Sequence, residues 1–357
     1  MSLEGVETVP PDVDFSAFDE IIDVRSPGEF KEDHLPGARN LPVLDDEQRA
    51  RIGLLYRRAP FQAQRLGAAD ISVNIARHLT EELEYCPRDW KPLLYCWRGG
   101  MRSRAFATVL RGIGWRARIV EGGYKAWRRF VRDDLERILG NSMFRFHILS
   151  GLTGSGKSHL LASLREAGAQ TIDLEGLANH RGSILGSVGV QPSQKLFESR
   201  LHEALARCDP MRPVFVEAES NRIGAIQLPG ALWRRFHEGV VYDVTLPLEE
   251  RVRHLLEHYP HFQEDPASLK KGLEVLRRRR GNELVDAWLA LVEAGDWQGF
   301  VASILENHYD RSYRRPGSEG SIYQPPSQFI DLRDTSPASL GAATGQLLSN
   351  TGAFIFR

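Results

Sequence analysis

The stretch from Phe144 to Glu166 constrains this chain more than any other. An apolar run, Phe144 to Leu149, leads into GLTGSGKS at Gly151 to Ser158, and helical spacing follows from Lys157 to about Glu166. Gly151, Thr153, Gly154, Ser155, Gly156, Lys157 and Ser158 satisfy GxxxxGK[ST] in the strand-to-helix setting that pattern requires. The glycines let successive backbone N–H groups turn inward on a phosphate, and the helix N-terminus adds partial positive charge. Lys157 reaches terminal phosphate oxygens and Ser158 can ligate Mg2+. The expected ligand is a di- or triphosphate. A glycine-rich turn that merely joins strand to helix would leave the full motif unexplained. The motif names the anion and leaves the reaction open.

Around this loop the chain alternates between short apolar runs and helical spacing. Strands are expected at 18–24, 92–96 and 117–121, with helical segments at 48–57 and 71–85 between them. A helix from about Tyr124 to Leu139 follows, with Trp127, Phe130, Val131, Leu135 and Ile138 on one face. Gly140, Asn141 and Ser142 end it. Further strands are expected at 171–174, 213–218, 240–246 and 328–332, whereas 248–313 reads as almost entirely helical. At 357 residues the chain accommodates two domains. The fold class expected is α/β: a first domain over 14–138, then a P-loop, mainly parallel α/β domain over 142–357 with a helical insertion or extension around 248–313.

No stretch approaches the roughly 18 apolar residues of a membrane helix. The acidic, proline-containing start, MSLEGVETVPPDVDF, lacks the pattern of a signal peptide. A cytoplasmic protein with no membrane partner is the expectation. Cys86, Cys96 and Cys208 are widely spaced and indicate neither a disulfide framework nor a zinc site. With 46 Lys+Arg against 47 Asp+Glu, any nucleic-acid contact must use local patches.

Glu217 and Glu219 follow the expected strand 213–218, where P-loop proteins often carry an acidic residue that organises Mg2+ and water. Solvated or arginine-paired glutamates fit that place too. The polar, glycine-containing segment 173–197 reads as a long irregular loop, and such loops are often functional. Its Asp173, Glu175, His180, Arg181 and Ser183 are candidates for a phosphate or ribose site, with a plain surface loop the alternative. Lys270, Lys271, Arg277, Arg278, Arg279 and Arg280 form a basic run able to contact RNA phosphates without reading bases. A solvated face balanced by acidic neighbours fits the same run. Trp288, Trp297 and Tyr313 read as core positions, with stacking on bases the alternative.

Cys96 ends an apolar strand and is followed by Trp97, Arg98, Gly99, Gly100, Met101, Arg102 and Ser103, after which a helix is expected to begin. That arrangement curls N–H groups around the sulfur and places arginines beside it, which lowers a thiol's pKa and raises its reactive fraction. The same cradle accepts an oxyanion. An inert buried cysteine would not need two glycines and two arginines directly after it. Cys86 and Cys208 lack such surroundings and read as structural.

The series Asp23, Val24, Arg25, Ser26, Pro27, Glu29, Phe30, then His34 to Ala38, then Cys96 and its loop, then Glu121, Gly122, Gly123 and Trp127, resembles a rhodanese domain. Rhodaneses carry sulfur or selenium on that cysteine. One departure concerns spacing: the usual loop has arginine five positions after cysteine, whereas Arg102 stands six after Cys96. The wider spacing is shared with phosphatases of the rhodanese fold and suits a phosphate-sized oxyanion. Together, CWRGGMRS, GLTGSGKS, DLEGLANHRGS and QPSQKLFE resemble the tRNA 2-selenouridine synthase family along nearly the whole chain.

That resemblance implies replacement of sulfur by selenium in 2-thiouridine at the tRNA wobble position. Its implied substrates are selenophosphate and geranyl diphosphate, used through an S-geranyl intermediate with no firmly bound cofactor. Cys96 would carry an S-selanylcysteine, Arg98 and Arg102 would hold the phosphate, and the P-loop would take the diphosphate. Two other classes remain compatible with these residues: a rhodanese-fold phosphatase with a nucleotide-binding regulatory domain, and a nucleotide-gated binding protein.

Overall fold

The computed structural model describes residues 6–141, 143–181, 189–258, 264–313, 317 and 323–351. Ser183 lies outside the described residues. The chain divides into two units, residues up to 137 with 192–203, and 138–191 with residues from 204 onward.

The first unit carries β1 (Thr8–Val9), β2 (Glu20–Asp23), α1 (Pro27–Glu32), β3 (Arg39–Asn40), α2 (Asp46–Tyr56), α3 (Pro60–Glu81), β4 (Pro92–Tyr95), α4 (Met101–Ile113), β5 (Arg118–Val120) and most of α5 (Gly123–Gly140). Its strands form one parallel sheet in the order β1-β5-β4-β2-β3. Ile22, Leu94 and Ile119 stand in register across β2, β4 and β5, fully buried against Phe106, Ala107 and Leu110 of α4. Truncating such a buried phenylalanine costs about 3–5 kcal/mol.

Capping places the helices that flank the cysteine loop. Ser26 and Glu29 form a capping box on α1, and Asp45 with Gln48 does the same on α2. Helix α3 begins eleven residues before the expected start at 71, because Pro60 pre-sets its first turn. The two-residue strands β1 and β3 are too short to leave a period-two pattern.

In the second unit β6 (Phe146–Ser150), α6 (Lys157–Glu166), β7 (Gln170–Ile172), α7 (Leu174–Ala178), the last turn of α8 (Gln194–Ala206) and β8 (Val214–Glu217) come first. There follow β9 (Arg222–Ile223), β10 (Ile226–Gln227), α9 (Gly230–His237), β11 (Val240–Thr245) and α10 (Leu248–His258). After these lie α11 (Pro266–Glu274), α12 (Arg277–Arg280), α13 (Asn282–Glu293), α14 (Trp297–Ile304), β12 (Gln328–Asp331) and α15 (Pro337–Asn350). The parallel sheet runs β12-β11-β6-β8-β7. The chain leaves β6 toward one side and later returns to the other, so strand order reverses at β6. Parallel α/β sheets place ligands at such a switch, outside the strands' carboxyl ends. Ser150 and Glu217 end the two strands at this crevice.

The helical region packs around its own core of Leu269, Leu273, Leu276, Val285, Trp288, Val292, Phe300 and Ile304. Trp288 is fully buried and donates its indole N–H to Ser303 Oγ at 3.0 Å, so it serves the core rather than base stacking. Trp297 packs against the same cluster. No helix among the described residues is long and apolar enough to cross a membrane.

Two expectations are corrected. The segment 173–197 is not one irregular loop: α7 occupies Leu174–Ala178, capped by Asp173, and α8 begins at Gln194. Residues 192–203, expected with the second domain, pack within the first unit. Paired charges explain this: Lys195 meets Glu32 at 2.6 Å, Glu198 pairs with Arg128, and His202 meets Asp134 at 3.0 Å. Phe197 is fully buried between these contacts along α8.

Candidate active sites

Cys96 follows β4 directly and is buried. Its Sγ accepts the Gly100 N–H at 3.2 Å and the Ser103 hydroxyl at 3.2 Å. Helix α4 starts at Met101, earlier than expected, so Arg102 and Ser103 belong to its first turn and the helix N-terminus faces the sulfur. The loop is clamped by the β5–α5 turn, where Tyr124 N donates to the Cys96 carbonyl at 2.9 Å and Lys125 N to that of Trp97 at 3.0 Å. A Cβ at Gly123, where φ is +57°, would lie 2.3 Å from the Cys96 carbonyl oxygen, so only glycine fits.

Beneath the loop, Asp23 and Arg25 form a fully buried pair at 2.6 Å, and the guanidinium lies 4.0 Å from the Tyr124 ring centroid. The Tyr124 hydroxyl donates to Asp33 Oδ2 at 2.8 Å. These contacts fix the turn that holds Cys96.

The arginines differ from one another. Arg102 donates to Glu29 Oε2 at 2.8 Å, with Arg49 3.7 Å from the same carboxylate. Burial opposes ionisation of Glu29, but Arg102 outweighs it and holds the carboxyl below its ordinary range. Arg102 is thus oriented by Glu29, a role for that glutamate that sequence alone did not assign. The S-x-x-E capping pattern was its only local signal. Arg98 is exposed and has no ion pair among the described residues.

In the second unit a cavity of about 620 Å³ opens over the P-loop. Gly151, Thr153, Gly154, Ser155, Gly156, Lys157 and Ser158 line it, as do Asp173, Glu175, His180, Arg181, Glu217 and Glu219. The separated sequence candidates thus meet at one place. Gly151, Gly154 and Gly156 all have positive φ, and a Cβ on Gly151 would fall 2.3 Å from the Val244 carbonyl oxygen. Lys157 Nζ donates to the carbonyls of Gly151 and Leu152 at 2.8 and 3.1 Å.

Carboxylates crowd this loop. Glu217 Oε1 accepts the Glu175 N–H at 3.1 Å, while its Oε2 is buried with no hydrogen-bond partner among the described residues. Burial, with Asp173 and Glu175 nearby, pushes the Glu217 carboxyl well above its ordinary range, and burial with Glu175 does the same to Glu219. Burial lowers the Lys157 ammonium, and Glu175, Glu219 and Glu217 resist that shift. Asp173 has a structural duty as well: its Oδ1 accepts the Gly176 N–H at 2.6 Å.

One support, Arg251, was missed from sequence, and a second, Tyr313, reads there only as a core or base-stacking residue. Arg251, buried on α10, donates Nε to the Thr153 carbonyl at 2.9 Å and forms a two-pronged pair with Asp310 at 2.7 and 2.9 Å. Tyr313 meets Ser150 Oγ at 2.7 Å and lines the cavity. An arginine inside an otherwise amphipathic helix gives no sign that it points inward.

The basic run is not a uniform face. Arg277 pairs with Glu274 at 2.5 Å and Asp286 at 2.7 Å, Arg280 donates to His308 Nδ1 at 2.9 Å, and Lys270 pairs with Glu293 at 3.0 Å. Lys271, Arg278 and Arg279 make no ion pair among the described residues. Arg279 also lines the cavity.

A cysteine cradle of rhodanese type and a loop of the P-loop pattern on one chain define the class: a rhodanese domain joined to a P-loop domain. The rhodanese-like domain family matches residues 12–130, and the tRNA 2-selenouridine synthase AAA domain family matches 144–319. The tRNA 2-selenouridine synthase of Marinobacter nauticus is 35% identical over 324 residues, spanning 82% of this chain and 87% of that protein. Its counterpart from Hahella chejuensis is 34% identical over 328 residues, with 82% and 84% covered. A solved rhodanese-related protein from Thermoplasma volcanium aligns with 35% of this chain and 92% of its own, at 20% identity and a TM-score of 0.24. This chain belongs to the tRNA 2-selenouridine synthase family.

Proposed function

We propose that this chain replaces sulfur by selenium in 2-thiouridine at the tRNA wobble position, using geranyl diphosphate and then selenophosphate. One observation carries the reading: a chain of this family holds a thiol among hydrogen-bond donors and, in its other unit, a lysine and serine loop ringed by carboxylates.

Sulfur in a thiocarbonyl is a poor leaving group, so alkylation must come first. The thiouridine sulfur attacks C1 of geranyl diphosphate, the C1–O bond breaks, diphosphate leaves with the bonding electrons, and the base loses its N3 proton. Lys157 and the loop N–H groups stabilise the departing charge. Ser158, Glu175 and Glu217 would hold Mg2+, for which Glu217 Oε2, without a hydrogen-bond partner among the described residues, is a fitting hard ligand. When bound, that ion would neutralise part of the diphosphate charge.

In the second step selenium attacks C2, the C2–S bond breaks, and geranylthiolate departs and takes up a proton. Cys96 is the nucleophile that handles selenophosphate. Capture of selenium as S-selanylcysteine leaves two electrons on phosphorus, which departs as phosphite. Once that selenium has bonded to C2, a second thiol attacks the Cys96 sulfur. The S–Se bond breaks with its electrons on selenium, and Cys96 is left as a disulfide that a further thiol reduces. The six-residue spacing from Cys96 to Arg102 favours a second route, attack on phosphorus. That route gives S-phosphocysteine and hydrogen selenide, and water then releases phosphate.

Purified protein given thiolated tRNA, both donors and a thiol reductant should yield S-geranyl-2-thiouridine and then 2-selenouridine on nucleoside mass spectrometry. The phosphorus product, phosphite or phosphate, separates the two routes. Absence of both nucleosides, with phosphoester hydrolysis that needs no tRNA, would replace this reading by the phosphatase one.

A further inference from the structure

His159, His254 and His258 gather at one edge of the P-loop cavity, and nothing in the proposed chemistry uses them. His254 and His258 stand one turn apart on α10, and His159 follows Ser158 in the first turn of α6. Each offers a ring nitrogen, and these three atoms lie within 4.8 Å of one another. The ring centroids are 4.4–4.7 Å apart.

The hydrogen bonding of the trio is incomplete in a particular way. Nδ1 of His159 and Nδ1 of His254 are buried without a hydrogen-bond partner among the described residues, and His254 is only 8% exposed. Buried polar atoms of this kind ordinarily find a partner. His258 Nδ1 meets the His254 carbonyl oxygen at 2.8 Å, so that nitrogen carries the proton and Nε2 keeps its lone pair. A backbone carbonyl that fixes the tautomer is the usual second partner of a metal-binding histidine.

We propose that His159, His254 and His258 form a binding site for a zinc-class divalent ion, with its fourth coordination position open to the P-loop cavity. Imidazole nitrogens suit zinc and its neighbours, whereas Mg2+ takes oxygen, so this site is distinct from the carboxylate group around Ser158. Three protein ligands with one open position is the arrangement of zinc sites that accept a water or substrate atom. Bonds of about 2.0–2.1 Å need ligand atoms roughly 3.4 Å apart, so atoms that lie within 4.8 Å of one another here would draw together on binding. Arg181, donating to the His258 carbonyl at 2.8 Å, Lys157 and Glu257 are the charged groups facing the trio. The open position suits a soft sulfur or selenium atom. The inference does not depend on the substrates proposed above.

The full chain, stripped with a chelator and dialysed against zinc, should retain one equivalent by elemental mass spectrometry. Cobalt in its place should give the visible absorption of a tetrahedral nitrogen site without thiolate charge-transfer bands. His258→Ala and His254→Ala should each weaken zinc binding at least tenfold, while a Cys86→Ser, Cys96→Ser, Cys208→Ser triple variant keeps it. Should the histidine variants fail to fold, the cobalt spectrum of the wild type still decides. Less than a tenth of an equivalent retained, thiolate bands, displacement by millimolar Mg2+, or failure of the cysteine variant to bind zinc would each overturn the proposal.

Discussion

The Ser103 hydroxyl donates to the Cys96 sulfur at 3.2 Å from within the first turn of α4. A hydrogen bond to a charged acceptor contributes about 1.5–3 kcal/mol, so Ser103→Ala should slow selenation by roughly tenfold or more. Labelling of Cys96 by iodoacetamide at pH 7 should slow as well. Geranylation, which in the proposed scheme needs no thiol, should be unchanged. Equal impairment of both steps would mean that Ser103 supports folding rather than the sulfur.

Arg251 should be the residue on which the P-loop's shape depends most. It is 4% exposed in its side chain, and its removal leaves Asp310 without its partner. Breaking a buried pair in this way costs on the order of 3 kcal/mol. Arg251→Leu should therefore lower the unfolding free energy by about that amount in denaturant titration and weaken geranyl diphosphate binding in calorimetry. Stability and binding both at wild-type levels would show that the Thr153 carbonyl needs no anchor.

If RNA lies on the basic run, it is held by the unpaired members. Replacing Lys271, Arg278 and Arg279 by alanine should weaken tRNA binding and reduce the salt slope by roughly 0.7–0.9 for each phosphate that is no longer neutralised. Replacing Arg277 and Arg280 should instead loosen the helical region, since both hold neighbouring side chains. The reverse ranking in salt-dependent binding assays would place RNA elsewhere.

Acid should weaken the second unit through His147. Burial, helped by Arg145, lowers this imidazole from 6.5 to about 4, with its Nδ1 3.0 Å from the Tyr242 hydroxyl. The unfolded chain binds the proton first, so stability is full above about pH 6.5, falls as pH drops toward 4, and levels off below. The decrease amounts to on the order of 3 kcal/mol. His147→Phe should flatten this part of the profile in thermal melts taken from pH 7 to pH 4. An unchanged slope would assign acid sensitivity to other groups.

Motifs made by local backbone rules were legible in the sequence. GLTGSGKS was placed because its glycines, lysine and serine act within eight consecutive residues, and the eight longer strands were placed from their apolar runs. The cysteine loop was legible for the same reason, although α4 starts at Met101 because Gly100 already serves as its N-cap. Long-range partners were not legible. Glu29 meets Arg102 across 73 positions and Arg251 meets Thr153 across 98, and no periodicity encodes such distances. The pairing of Arg277 with Glu274 and Asp286, and of Lys270 with Glu293, was equally hidden, and it turned two of the six residues of an apparent basic patch into internal ion pairs. His254 and His258 did carry a readable i, i+4 signal, but His159 joins them only through the fold.

In the proposed scheme the two sites divide the chemistry, and Cys96→Ser compared with Lys157→Ala tests that division directly. Each variant is given thiolated tRNA, geranyl diphosphate and selenophosphate, and the digested nucleosides are identified by mass. Cys96→Ser should accumulate S-geranyl-2-thiouridine and make no 2-selenouridine. Lys157→Ala should fail at geranylation, yet convert tRNA supplied already geranylated. Normal 2-selenouridine formation by Cys96→Ser, or failure of both steps in both variants, would contradict the account.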